Sequence, residues 1–93
     1  VNGNFPSRGF LGQLKQTLEN IKAVLNSAKV SPENMTRMTW YLTDKAAYVT
    51  NLREVGKIYR EIMGRNFPAM SVVQVSALVE DEALIEIEVT AVK

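Results

Sequence analysis

The hydrophobic pattern in the first third of the chain predicts a helix followed by a short turn. Between residues 11 and 29, apolar side chains recur at steps of four and three residues, which is the period of one face of an α-helix. The members of this stripe are Leu14, Leu18, Ile21, Leu25 and Ala28. Ser31 and Pro32 then supply a cap and a first helical residue, so a single helical turn is expected before the chain becomes extended.

Residues 35–42, MTRMTWYL, alternate in polarity and predict a β-strand. β-branched and aromatic residues, which favour strands, make up half of this segment. The face with Met38, Trp40 and Leu42 is predicted to point toward the core. Trp40 is interpreted as a packing residue rather than as a platform on which a ligand stacks, because large apolar side chains are usually buried.

A second amphipathic helix is predicted from about residue 45 to residue 63. Its apolar stripe consists of Tyr48, Leu52, Val55, Tyr59 and Ile62. Gly64 stands where a residue in the left-handed region commonly ends a helix. Gly56 lies inside the helix, where glycine costs about 1 kcal/mol relative to alanine. Close packing of another element against Gly56 is the favoured explanation.

Two further strands are predicted at residues 70–78 and 84–92, joined by the polar turn EDEA at residues 80–83. A connection this short predicts that the two strands pair with each other in antiparallel fashion. In the last strand, Glu86 and Glu88 share a face with Leu84, Thr90 and Val92, so that face is not plainly a solvent face.

The order helix, strand, helix, strand, strand predicts an α+β domain in which two helices cover one face of a small mixed sheet. Residues 11–93 are expected to form this single domain. Residues 1–10, rich in glycine and asparagine, are interpreted as a loop or as the remnant of missing strands. The other face of the sheet is semi-apolar, so a chain this small is expected to bury it against further copies of itself.

The amino-acid composition excludes several classes of partner and of catalytic site, but it says little about the fold. The net charge of +1 gives no electrostatic reason to expect nucleic acid or an anionic membrane as a partner. No apolar run approaches the roughly 20 residues of a membrane-spanning helix, and a cytoplasmic protein is predicted. The chain has no cysteine and no histidine, which excludes disulfides, Cys/His metal sites, thiol nucleophiles and Ser-His-Asp triads. No metal or cofactor is predicted.

Three segments resemble the Rid (YjgF-like) family of reactive-intermediate deaminases, also called endoribonuclease L-PSP or translation initiation inhibitors. They are QTLENIKAVLNSAKVSPENMTRMTWYLTD at residues 16–44, NFPAMSVVQV at residues 66–75 and LIEIEVTAV at residues 84–92. The resemblance implies a chorismate-mutase-like α+β domain that assembles as a homotrimer with clefts between subunits. It also implies hydrolysis of enamines and imines, such as 2-aminoacrylate, to a 2-oxo acid and ammonia.

The residues that would line the cleft depart from the family pattern. Met70 stands where the family's FPAR turn has an arginine that binds the substrate carboxylate, and a thioether lacks the paired donors of a guanidinium. Gly56 stands where many members have asparagine, and Val72 where many have cysteine. Glu86 matches the glutamate often assigned to orient the attacking water; the alternative is a strand-face glutamate at a subunit interface. The predicted cleft residues are Gly56, Met70, Ser71, Val72 and Leu84, with Glu86 as the catalytic candidate.

Two functions follow from the resemblance. The first is an imine or enamine hydrolase with an altered preference, for which uncharged imines are expected to be better substrates than 2-aminoacrylate. Arg37 is a candidate for a substitute carboxylate anchor. The second is a trimer that binds a small molecule without catalysis. RNA cleavage is disfavoured because the chain has neither a histidine nor a basic patch with aromatic residues. Family members begin with about two strands that are not recognised here, so this sequence is expected to be an incomplete part of a longer protein.

Overall fold

The computed structural model describes residues 9–92 as an α+β fold, which confirms the predicted class. Its elements in chain order are α1 (Phe10–Ser27), a 3₁₀ turn (Pro32–Asn34), β1 (Met35–Leu42), α2 (Lys45–Thr50), α3 (Leu52–Met63), β2 (Ala69–Gln74) and β3 (Ile85–Ala91). The loop predicted for residues 1–10 lies mostly outside the described residues, and Phe10 already belongs to α1. None of the helices within residues 9–92 is both long enough and apolar enough to cross a membrane.

The three strands form one mixed sheet in the order β2-β1-β3. β1 pairs with β2 in parallel and with β3 in antiparallel fashion. The prediction that the last two strands pair with each other is therefore wrong. β2 ends at Gln74, so the connection runs from residue 75 to residue 84 and is long enough to pass the end of β1. Both ends of this connection bond to that end, through Val75 N to Leu42 O at 2.8 Å and Thr43 N to Leu84 O at 3.2 Å.

The core lies between the sheet and the helices α1 and α3. Its fully buried side chains are Trp40, Leu14, Leu18, Met38, Leu42 and Met63. Trp40 is 1% exposed, which confirms its interpretation as a packing residue. Its ring lies edge-on to that of Tyr48, with centroids 6.0 Å apart, and is tilted against that of Tyr59 at 6.4 Å. Trp40 thus lies on the central strand of the sheet and packs against aromatic rings from both α2 and α3.

The predicted second helix is in fact two helices that meet at Asn51. Thr50 Oγ1 donates to the carbonyl of Ala46 at 2.8 Å, and Asn51 Nδ2 donates to that of Ala47 at 2.7 Å. Such side chains compete with the backbone for helical carbonyl groups and favour a break. Leu52, which the apolar stripe placed in the core, is 51% exposed because it follows the break. Gly64 ends α3 with a φ of 71°, as expected for this position.

A buried glutamine fastens α1 to the connection that leads into β3. Gln13 is only 2% exposed, and the hydrophobic pattern did not identify it. Its Nε2 donates to the carbonyl of Glu82 at 3.0 Å, while its Oε1 accepts from the backbone N–H of Leu84 at 2.7 Å. At the other end, α1 stops at Ser27, so Ala28 lies outside the helix and is exposed, contrary to the predicted stripe.

Candidate functional site

Two of the predicted cleft residues lie on the face of the sheet that the helices cover. In the strand register, Met70 is the partner of Met38 and Val72 is the partner of Trp40. Partners on adjacent strands point to the same face, so Met70 and Val72 point toward the helices. Val72 packs against the core cluster, whereas Met70 is 39% exposed because β2 is an edge strand. We call this side of the sheet the helix face. At its β2 edge, Met70 forms an accessible apolar border, which we call the Met70 margin.

The other two strand residues of the predicted site lie on the opposite face. Ser71 is the partner of Thr39, and Glu86 is the partner of Tyr41. Both Ser71 and Glu86 are exposed. We call this side of the sheet the open face; its residues are Arg37, Thr39, Tyr41, Ser71, Val73, Glu86, Glu88 and Thr90.

Met70 and Glu86 are too far apart in one molecule to hold the same small ligand. Glu86 is level with Tyr41, three positions along β1 from Met38, and β2 and β3 are separated by the whole of β1. Standard strand spacings place the two Cα atoms about 14 Å apart, and the side chains leave opposite faces of the sheet. A cleft that contains both residues therefore requires two copies of the chain.

Leu84 and Gly56 are not brought to the Met70 margin by strand pairing. Leu84 directly precedes β3 and packs against the core cluster, at the end of β1 away from Met38. Gly56 lies in α3, where a methyl group would meet only the Arg60 side chain, with Nη1 at 3.1 Å. The close packing expected at Gly56 is therefore not found among the described residues of one chain.

Gly56→Ala is expected to stabilise the protein by about 1 kcal/mol, because alanine favours the helix and the Arg60 side chain is free to move aside. Chemical denaturation followed by circular dichroism measures this change. Gly64→Ala is the matched control: its φ of 71° disfavours any side chain, and a loss of about 1–3 kcal/mol is expected. A loss of stability in Gly56→Ala would contradict this expectation and point to a neighbour of Gly56 beyond Arg60, such as a second chain.

An aromatic pair orders the turn that leads to Met70. The rings of Tyr59 and Phe67 stack with centroids 5.2 Å apart and an interplanar angle of 21°. The Tyr59 hydroxyl donates to the carbonyl of Asn66, and burial raises the pKa of Tyr59 to about 12, so the phenol keeps its proton. Phe67 is 60% exposed although it stacks on one side. This pair cannot be read from the hydrophobic pattern, because only the turn after α3 brings Phe67 back onto Tyr59.

A second group that the sequence analysis missed lies on the open face. The Tyr41 hydroxyl donates to Glu88 Oε1 at 3.3 Å, a diagonal contact between β1 and β3. The charge of Glu88, then burial, the hydrogen bond to Glu88 and the charge of Glu86 all raise the pKa of Tyr41. The alternation of glutamates in β3 was visible in the sequence, but their partner was not, because the predicted pairing joined β3 to β2.

A separate apolar groove lies between α1 and β3. It has a volume of about 450 Å³, and none of the predicted site residues lines it. Its lining residues are Thr17, Asn20, Ile21, Val24, Leu25, Ala28, Val30, Ile87, Val89 and Ala91. The groove is thus a feature of the helix face near β3, away from Met70 and β2.

Comparisons with known proteins agree on one family. The family described as Endoribonuclease L-PSP matches residues 1–93. A RutC family protein of Pyrococcus horikoshii is 40% identical over 81 residues, which cover 87% of this chain and 60% of the relative. The human 2-iminobutanoate/2-iminopropanoate deaminase is 32% identical over 92 residues, covering 99% of this chain and 64% of that protein.

The solved structures give the same result for the fold. A crystal structure of a Rid family protein of unknown function from Yersinia pestis, YyfB, superposes with a TM-score of 0.82 at 33% identity. The superposition covers 98% of this chain and 68% of that one. This chain spans less than two thirds of the length of the archaeal and human relatives, at 60% and 64% respectively.

Proposed function

This chain belongs to the endoribonuclease L-PSP family, also called the Rid or YjgF-like family, and we propose that it hydrolyses imines or enamines in clefts between the subunits of a homotrimer. The observation that carries the proposal is the division of the candidate residues between two faces of the sheet. One copy offers Met70 and Val72 at its Met70 margin, and a neighbouring copy offers Glu86 and Ser71 from its open face. The relatives named as deaminases support the reaction class.

The reaction asks little of the protein. Water adds to the carbon of the C=N bond, the electron pair of that bond moves to nitrogen, and the adduct then expels ammonia and leaves a carbonyl group. Glu86, an exposed carboxylate, is the proposed acceptor of the proton that the attacking water loses. Orientation of the water and the imine supplies the rest, which is consistent with a chain that has no histidine or cysteine.

The proposed preference is for imines without a carboxylate. At the position where the resemblance implies an arginine, Met70 offers an accessible apolar side chain, and Phe67 leaves one side of its ring exposed nearby in the sequence. Neither group binds a carboxylate. Arg37 lies on the open face with Glu86, so if Arg37 binds the substrate carboxylate, that anchor comes from the same subunit as the glutamate. An imine of a simple ketone or aldehyde is the test substrate, and Arg37→Ala examines the substitute anchor.

Mixing two inactive variants is expected to restore activity. In Met70→Asp every cleft has a charged margin, and in Glu86→Gln every cleft lacks the carboxylate. A random mixed trimer of the two contains intact clefts at about a quarter of its interfaces, because each cleft draws on two neighbouring subunits. Co-refolding at equal amounts, followed by an assay of ammonia release from an uncharged imine, measures this recovery; light scattering establishes the trimer, and circular dichroism establishes that each variant folds.

The control is the same mixture prepared without subunit exchange, which is expected to remain inactive. No recovery after exchange, with both variants folded and trimeric, would contradict the shared cleft. A wild-type trimer that a small molecule stabilises in thermal-shift measurements, but that does not consume any imine, would favour the non-catalytic binding function instead.

A further inference from the structure

We propose that Tyr41 is a catalytic residue of the hydrolase, holding the attacking water together with Glu86, and that Glu88 is the positioning residue that sets the direction of the phenol proton. This inference rests on the proposed function, since it concerns the same water and the same glutamate. It assigns roles to two side chains that neither the sequence analysis nor the family resemblance identified.

The hydrogen bonds on the open face determine whether the Tyr41 hydroxyl can accept a further hydrogen bond. A phenol has one proton, and that of Tyr41 is donated to Glu88 Oε1 at 3.3 Å. The lone pairs of the Tyr41 oxygen are therefore left to accept a hydrogen bond from another donor. Glu86 is the direct partner of Tyr41 across the strand pair, so the two side chains leave the same face of the sheet as neighbours, and the Glu86 carboxylate is a second acceptor there.

A water between these two acceptors has its orientation determined by them. It donates one hydrogen to the Glu86 carboxylate and the other to the Tyr41 oxygen, which leaves an oxygen lone pair directed away from the sheet. When this lone pair forms the C–O bond with a protonated imine, the C=N electron pair moves to nitrogen and the water proton passes to Glu86. Glu86 then returns that proton to the amine nitrogen. As the C–N bond breaks and ammonia leaves with the electron pair, the remaining hydroxyl proton passes to the Glu86 carboxylate and the carbonyl forms.

The charges around Tyr41 keep its proton in place. On β3, Glu88 and then Glu86 raise the pKa of the phenol, and its flanking β2 residues, Ser71 and Val73, do not titrate. A raised pKa means that the neutral phenol persists above its ordinary titration range, so the donor to Glu88 is present at every pH at which the enzyme would work. Arg37 is the cationic residue of the open face, at the other end of β1.

The kinetic test uses Tyr41→Phe, Glu88→Gln and the double variant with an uncharged imine as substrate. Tyr41→Phe is expected to lower kcat about tenfold with little change in KM, because water orientation is lost while substrate binding is kept. Glu88→Gln is expected to lower kcat as well. The amide of glutamine can donate a hydrogen bond to the phenol oxygen, and the phenol proton then turns away from residue 88. In the double variant the two losses should not add, because Glu88 acts through Tyr41.

Tyr48→Phe is the matched control, since Tyr48 lies in α2 against Trp40 and not on the open face. It is expected to leave kcat unchanged. Additive losses in the double variant, or a kcat for Tyr41→Phe equal to that of the wild type, would overturn the assignment.

A titration separates this inference from the proposed function. The ultraviolet absorbance of the phenolate, taken as the difference between wild type and Tyr41→Phe, reports the pKa of Tyr41 without any substrate. Glu88→Gln is expected to lower this pKa, and Glu86→Gln to lower it by less. An unchanged pKa in Glu88→Gln disproves the pair even if the enzyme is active. A wild type that hydrolyses no imine disproves the water-holding role together with the proposed function, whatever the titration shows.

Discussion

Replacing Met70 with arginine is expected to raise kcat/KM for 2-aminoacrylate or its imine by about 10- to 150-fold. This range corresponds to the roughly 1.5–3 kcal/mol that a hydrogen bond to a charged group contributes. Met70 is 39% exposed at the margin of an edge strand, so a longer, charged side chain can reach solvent and does not have to enter the core. The fixed donor pair of a guanidinium then meets a carboxylate where the thioether offers no donor.

The measurement is ammonia release from freshly generated 2-aminoacrylate, compared with release from an uncharged imine. Met70→Lys is the matched control: it adds the same charge without the paired donors, and a smaller gain is expected. For the uncharged imine, Met70→Arg should give no gain. A wild-type rate on 2-aminoacrylate that Met70→Arg does not improve would show that the carboxylate is already bound elsewhere, and Arg37→Ala would then be expected to abolish that rate.

Trp40→Ala is expected to destabilise the fold by about 3–5 kcal/mol, a large part of the stability of a chain of this length. Trp40 is 1% exposed, lies at the centre of the sheet, and packs against the rings of Tyr48 and Tyr59. Its removal leaves a cavity that the strands on either side prevent from closing. Urea denaturation followed by circular dichroism measures the effect; tryptophan fluorescence cannot, since the chain has a single tryptophan.

Trp40→Phe is the control that separates volume from polarity. Within the described residues, Nε1 of Trp40 is buried and has no hydrogen-bond partner. An unsatisfied buried N–H costs about 1–3 kcal/mol, and phenylalanine removes it while keeping most of the ring. Trp40→Phe is therefore expected to lose much less stability than Trp40→Ala. Equal losses in the two variants would show that the indole N–H is satisfied in solution, by a water or by a second chain.

The hydrophobic pattern of a single element predicted the buried sides of α1 and β1 correctly. The stripe of Leu14, Leu18 and Leu25 predicted the buried side of α1, and the alternation through Met38, Trp40 and Leu42 predicted the buried side of β1. The end of α3 was predicted at Gly64, because helices often end in a residue with positive φ and this conformation favours glycine. Each of these inferences needs only the period of the element or the conformation of one residue.

Pairing between strands was predicted wrongly because it depends on distant parts of the chain. The short turn at residues 80–83 suggested a hairpin, yet β2 ends earlier than its apolar alternation does, and β1 takes the place between the two later strands. Gln13 shows the same dependence: a polar residue in α1 is buried because the backbone at Glu82 and Leu84 needs a donor and an acceptor there. No local period contains that information.

The sequence by itself determined the α+β class, the positions of α1, β1 and β3, the absence of histidine and cysteine chemistry, and the methionine where the resemblance implies an arginine. Only the tertiary structure decided which candidate residues can act together. Strand register placed Met70 and Glu86 on opposite faces, and it placed Tyr41 between Glu86 and Glu88. The physical reason is that side chains alternate between the faces of a strand, so the neighbours of a residue depend on which strand lies beside it and in which register.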